Sequence, residues 1–209
     1  MKYVIILVLC LCSISDCTGQ NNKNKKEDMD EEKLDISRLA RKGKKTVYDN
    51  GEVSYCWKYK EKDGTVVVIE GDKEDGYTES RIPKNSFREI YKEYYPSGIL
   101  KFKGSLFGEH TKIGTWHYYD SEGNLVEEVD ENKKFGKFGY IEVLQFLINN
   151  KYVDKDTFEG IFRIRITFWA EDLTWYIRVT TPGYIINEYE ISGNTGEIKS
   201  HNVSQGGEM

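Results

Sequence analysis

Three histidines, a few acidic clusters and a single cysteine beyond the N-terminal segment are the residues of this chain with the reactivity to do chemistry. A hydrolase needs a nucleophile, a base and an orienting group, and the base is most often His. His110 lies in a glycine-bearing connection, His117 stands among aromatic residues, and His201 sits near a polar C-terminus; none has a Gly-x-Ser-x-Gly or comparable nucleophile beside it. His117, held between Trp116 and Tyr118, is expected to be structural. Glu109-His110 and His117-x-x-Asp120 offer nitrogen and oxygen donors but lack the Cys pairs or His-x-x-x-His spacing that zinc favours. The run Asp72 to Gly76 begins like a calcium loop, yet its closing twelfth position is Pro83 rather than an acid. Asp154-x-Asp156-x-x-Glu159 reads as a polar turn, and no glycine-rich loop with a lysine joins a strand to a helix to cradle phosphate. The expectation is a chain with no catalytic residues, no metal and no cofactor.

The body that must carry these residues is rich in aromatics, with 15 Tyr, 9 Phe and 4 Trp against 3 Pro. Aromatic and β-branched residues suit half-buried pleated surfaces, which predicts sheet. A formal net charge of −5 with both signs interspersed argues against nucleic acid, whose binders present a basic face. At the N-terminus, Lys2 precedes an apolar run from Tyr3 to Leu11, followed by small and polar residues, the pattern of a secretory signal too short to span a bilayer. Export is therefore expected. If Cys10, Cys12 and Cys17 go with that segment or its end, Cys56 alone remains, no internal disulfide forms, and its position between Tyr55 and Trp57 predicts a packed thiol.

Residues 18–46 are dense in Lys, Asp, Glu and Asn, with no aromatic up to Lys45, and predict a flexible polar tether. Within it, residues 28–41 carry two apolar anchors, Leu34 and Leu39, enough for a transient helix only. Folded sequence is expected from Val47. Val53, Tyr55, Trp57 and Tyr59 alternate with Ser54, Cys56, Lys58 and Lys60 as a half-buried strand, and Asp63-Gly64 turns it into an apolar second strand. One phrase is then spoken twice, Tyr94-Tyr95-Pro96-Ser97-Gly98-Ile99-Leu100 and Tyr118-Tyr119-Asp120-Ser121-Glu122-Gly123-Asn124-Leu125, a repeat of about 24 residues with a fainter copy at Tyr59 to Ile69. Beyond Asp130, Ile141, Leu144, Leu147 and Ile148 recur at helical spacing over residues 140–150. Strands are predicted over 161–169, 173–180, 184–191 and 197–202; in the second, Leu173, Trp175, Ile177 and Val179 face one way and Thr174, Tyr176, Arg178 and Thr180 the other. The predicted class is mainly β (α+β): an antiparallel hairpin-repeat sheet over 47–132, then a helix packed on a small antiparallel sheet over 133–209.

Three resemblances sit on these residues. Leu11 to Gln20, with Cys17, resembles the lipobox that ends bacterial lipoprotein signals, with 1–17 as the signal peptide; this implies a lipid anchor on Cys17, and ordinary cleavage near Gly19 is the alternative. Asp16 departs from the small residue usual before the lipidated Cys. Tyr-Tyr-x-x-Gly-x-Leu, with Gly114 to Asp120, is similar to the variant MORN-like repeats of bacterial envelope proteins, some labelled antitoxins; it implies a scaffold for binding. Tyr189, Ile191, Gly193, Thr195, Gly196, Glu197 and Ile198 resemble the final hairpin of PepSY-like modules, which implies peptidase binding or inhibition.

The function expected is a non-enzymatic, envelope-anchored protein-binding module, immunity-like in one version. A PepSY-like peptidase regulator and a glycan-binding surface protein are the alternatives. Its partner is an envelope or secreted protein, with the membrane reached through the lipid and no nucleic acid bound. The expected location is the outer membrane, facing the periplasm or the surface. Adjacent strand residues point to opposite faces, so one tyrosine of each pair should face outward. Tyr94, Tyr95, Trp116, Tyr118 and Tyr119 are the predicted partner-binding residues, since outward aromatics anchor interfaces.

Overall fold

The computed structural model of the chain describes residues 32–108, 110–158 and 163–206; the signal segment, Cys17 and residues 18–31 of the expected tether lie outside the described residues. The fold is mainly β with helices added, in two antiparallel sheets. The first sheet is an eight-stranded meander in chain order: β1 (Lys44–Val47), β2 (Val53–Lys60), β3 (Val66–Asp72), β4 (Gly76–Ile82), β5 (Arg88–Tyr94), β6 (Leu100–Phe107), β7 (Thr111–Tyr119) and β8 (Leu125–Asp130). The second has the order β12-β11-β10-β9, from β9 (Arg163–Trp169), β10 (Thr174–Thr181), β11 (Ile185–Ser192) and β12 (Ile198–Gln205). Helix α1 (Ile36–Lys42) precedes the large sheet and α2 (Tyr140–Asn149) precedes the small one.

One turn geometry recurs through the meander. At 48–52, 61–65, 95–99 and 120–124, the first residue's N–H bonds the fifth residue's carbonyl, and the fourth residue's N–H bonds the first residue's carbonyl. The fourth residue is always glycine, Gly51, Gly64, Gly98 and Gly123, with φ between 82° and 94°, a left-handed conformation that a side chain would strain. Aligned on these turns, Tyr94 corresponds to Tyr119 and Tyr95 to Asp120, and a bulge precedes both Tyr94 and Tyr119. The spacing from Gly98 to Gly123 is thus one residue longer than the 24 read from the tyrosine pairs.

Four expectations need correcting. The tether does not run to residue 46. Asp35 caps α1 by accepting from Arg38 N at 2.8 Å, and Leu39, 1% exposed, packs with Val67, Ile69, Tyr77, Tyr94 and Leu100. Lys33 bridges Ile99, and Leu34 N donates to Gly98 O at 2.8 Å, so the segment leans on the first repeat turn. Two apolar anchors sufficed because the large sheet supplies the other side of the contact. In α2 the inward stripe is Val143 and Leu147, flanked by half-buried Leu144 and Ile148, while Ile141 is 62% exposed. Cys56 is exposed rather than packed, because β2 turns Tyr55, Trp57 and Tyr59 inward and leaves the intervening positions outside. Phe107 and Ile113 of the large sheet share one cluster with Val143, Leu147, Ile166, Trp175, Ile177 and Ile191, and Phe107 meets Trp175 edge-on at 6.2 Å. Two of the predicted contact residues, Tyr94 and Trp116, also prove buried, as the next section describes.

Candidate binding face on the C-terminal sheet

The residues expected to bind a partner are mostly spent inside the molecule. Tyr94 is 3% exposed and donates its hydroxyl to Glu79 Oε2 at 3.1 Å. Burial first, and then the Glu79 charge, push its phenol well above the usual tyrosine range. Trp116 is 1% exposed: its ring lies on Gly104, where any Cβ would collide with it, and its Nε1 donates to Ser105 O at 3.2 Å. Tyr95, Tyr118 and Tyr119 are half-buried. Tyr95 donates to Tyr119 O at 3.0 Å, Lys112 Nζ donates to Tyr118 Oη at 2.9 Å, and Lys103 Nζ lies 5.7 Å from the Tyr119 ring centroid. The half-buried Tyr91, Phe102 and Tyr118 pack with buried Trp116, and Lys112 Nζ covers Trp116 at 4.3 Å from its ring centroid. This patch shields itself.

The histidines are not brought together. His117 Nε2 meets Glu128 Oε1 at 3.0 Å across β7 and β8, His201 stacks on Tyr189 at 4.1 Å in the other sheet, and His110 is exposed in the connection after β6. Asp72 and Asp154 each use Oδ1 to accept two following backbone N–H groups, which closes turns. Among the described residues, no three His, Cys, Asp or Glu side chains gather as metal ligands.

The open surface lies elsewhere, on the side of the C-terminal sheet away from the core. The alternation that sends Ile164, Ile166 and Phe168 of β9 inward puts Arg163, Arg165, Thr167 and Trp169 outward. In β10, Trp175, Ile177 and Val179 are buried, and Tyr176, Arg178 and Thr180 point the other way. The register then fixes rows across the sheet. Arg165, Arg178, Glu188 and Asn202 form one, and Arg163, Thr180, Ile186 and Ser204 form the next. Trp169, 56% exposed, stands beside Tyr176 with ring centroids 5.0 Å apart.

At the arginine end the face hollows into a trough of about 710 Å³, walled by Arg163, Arg165, Arg178, Thr180, Tyr184 and Ile186. It continues into a shallower hollow of about 290 Å³ that adds Thr167, Tyr176 and Glu190. Tyr184 and Gly183, both at positive φ, turn the chain at the trough's rim. Arg178 Nε lies 3.6 Å from Glu188 Oε1 with both side chains about half exposed, a loose pair that solvent screens. Guanidinium forks, hydroxyls and exposed rings together can bind a polar, partly apolar surface. The signal for this face was present in the sequence, since Arg163-Ile164-Arg165-Ile166 alternates charge and apolar residues, and Tyr176, Arg178 and Thr180 share the side opposite the core.

No family model, no curated protein and no solved structure matches the chain.

Proposed function

We propose that the protein is an exported, lipid-anchored binding module of the cell envelope, not an enzyme, and that it captures a protein partner on the outer face of its C-terminal sheet. The observation that carries this reading is that face itself, on which Arg163, Arg165 and Arg178 line a trough of about 710 Å³ while Tyr176 and exposed Trp169 stand outward farther along the same face. Tryptophan, tyrosine and arginine are the side chains that dominate interface energetics. The dispersal of the three histidines argues against catalysis, and the apolar run from Tyr3 to Leu11, with Cys17 after it, supports export and anchoring. MORN-like and PepSY-like resemblances in the two sheets agree with a scaffold that binds.

A photo-crosslinking residue placed at Thr167 or Asn202 tests the reading in the native cell. A discrete higher-mass adduct is expected from both positions, and none from Lys60, which is exposed on β2 of the large sheet. Equal adducts from Lys60, or none from Thr167 and Asn202, would contradict it.

A further inference from the structure

The composition of the trough specifies the chemistry of its ligand. We infer that it is a carboxylate-binding groove taking a short, extended acidic segment of a partner protein, an inference that rests on the binding role proposed above. Three of the chain's seven arginines line it, although lysines far outnumber arginines in the sequence and the net charge is −5. Arginine rather than lysine matters because its planar fork pairs with a carboxylate through two parallel hydrogen bonds. Arg165 and Arg178 are direct cross-strand neighbours, which sets two guanidinium groups side by side on this face. No carboxylate is among the trough's described lining residues. Thr180 adds a hydroxyl donor, while Ile186 and Pro182 give an apolar wall for the side chains between the acids. In an extended peptide, alternate side chains face the same way, so acids can meet the arginines while their neighbours turn elsewhere.

The surroundings limit the length of that segment. Glu188 and Glu190 follow on the same face, and Asp172 accepts from Tyr176 Oη at 3.3 Å beside it. A long polyanion such as a nucleic acid would meet these charges and the acidic molecule beyond them, whereas a few carboxylates end inside the positive field.

The test uses the full chain and a fluorescent peptide of alternating Glu and Val, with its Gln–Val counterpart and a short single-stranded DNA as competitors. The Glu peptide should bind at least about tenfold more tightly than the Gln peptide, since bonds to a charged group are the stronger class. Arg163→Ala and Arg178→Ala should each weaken it by about tenfold, with Arg178→Lys between, and added salt should weaken it further. Both positions are exposed, so the variants are expected to keep the parent's circular dichroism and melting temperature. Equal binding of the Gln peptide, indifference to both arginine variants, or DNA that binds as tightly with the same arginine dependence would overturn the inference. Thr167 adducts that persist unchanged in the double Arg163→Ala, Arg178→Ala variant would also overturn it while leaving the binding face standing. Arginine-dependent binding of the Glu peptide without native-cell adducts would support the groove's chemistry and remove the envelope partner.

Discussion

Tyr94 and Tyr95 are adjacent in the chain and meet opposite fates. Tyr94 closes β5 with its hydroxyl on Glu79, while Tyr95 begins the turn and reaches to the next repeat's backbone at Tyr119. Because burial raises the folded-state pKa of Tyr94 above that of an unfolded tyrosine, about 10, its contribution to stability is full below that pH and is lost as pH rises beyond it. Tyr189, buried and bonded to the Tyr152 hydroxyl at 2.7 Å, shifts in the same direction. An alkaline titration followed by phenolate absorbance should therefore leave a fraction of the tyrosines silent past about pH 10, then release them together with the loss of sheet circular dichroism. Ordinary titration of all tyrosines in the folded protein would contradict these placements. Tyr77 gives a second check: it is 1% exposed and its hydroxyl has no hydrogen-bond partner among the described residues. An unmade buried bond costs about 1–3 kcal/mol, so Tyr77→Phe should melt at the same temperature as the parent or higher. At this scale the sequence was legible in type but not in direction. Tyrosine pairs announced one inward residue each, and nothing in the sequence said that Lys101 and Lys112 would cover the others, Tyr95 and Tyr118.

The hairpins could be read from sequence because each turn is a local event. Asp63-Gly64, Ser97-Gly98 and Glu122-Gly123 place a glycine where the left-handed residue must fall, and the strands on either side follow. Helix α2 was readable too, with Glu142 returning to cap Gly139 N at 2.9 Å and Asn150 Nδ2 closing the last turn on Phe146 O. Helix α1 was not, because its stability is not local: seven residues cannot hold a helix in water, and Leu39 is anchored by Val67, Tyr77 and Leu100 from far along the chain. Leu39→Ala should cost about 2–5 kcal/mol, read by urea denaturation, and should open the strap formed by Lys33 and Leu34 to proteolysis. A cost under about 0.5 kcal/mol would mean that α1 adds nothing to the large sheet.

The two sheets share packing at the scale of the whole molecule. Residues 32–209 form one compact unit, and the core beneath the C-terminal sheet borrows Phe107 and Ile113 from the repeat sheet. That core draws on side chains from both 47–132 and 133–209, a long-range pairing that local sequence pattern does not reveal. Trp116 reports on one sheet and Trp175 on the other, so single-tryptophan variants retaining one or the other should unfold at the same urea concentration; two separated midpoints would contradict the shared core. On this body the repeat sheet has its aromatics turned inward or packed on themselves, and the C-terminal sheet presents the surface proposed to bind. The crosslink from Thr167 in the native cell tests that division most directly. A discrete adduct at Thr167, absent at Lys60 and reduced by Arg163→Ala with Arg178→Ala, is the predicted result. An adduct that forms at Lys60 and not at Thr167 would move the binding surface to the repeat sheet.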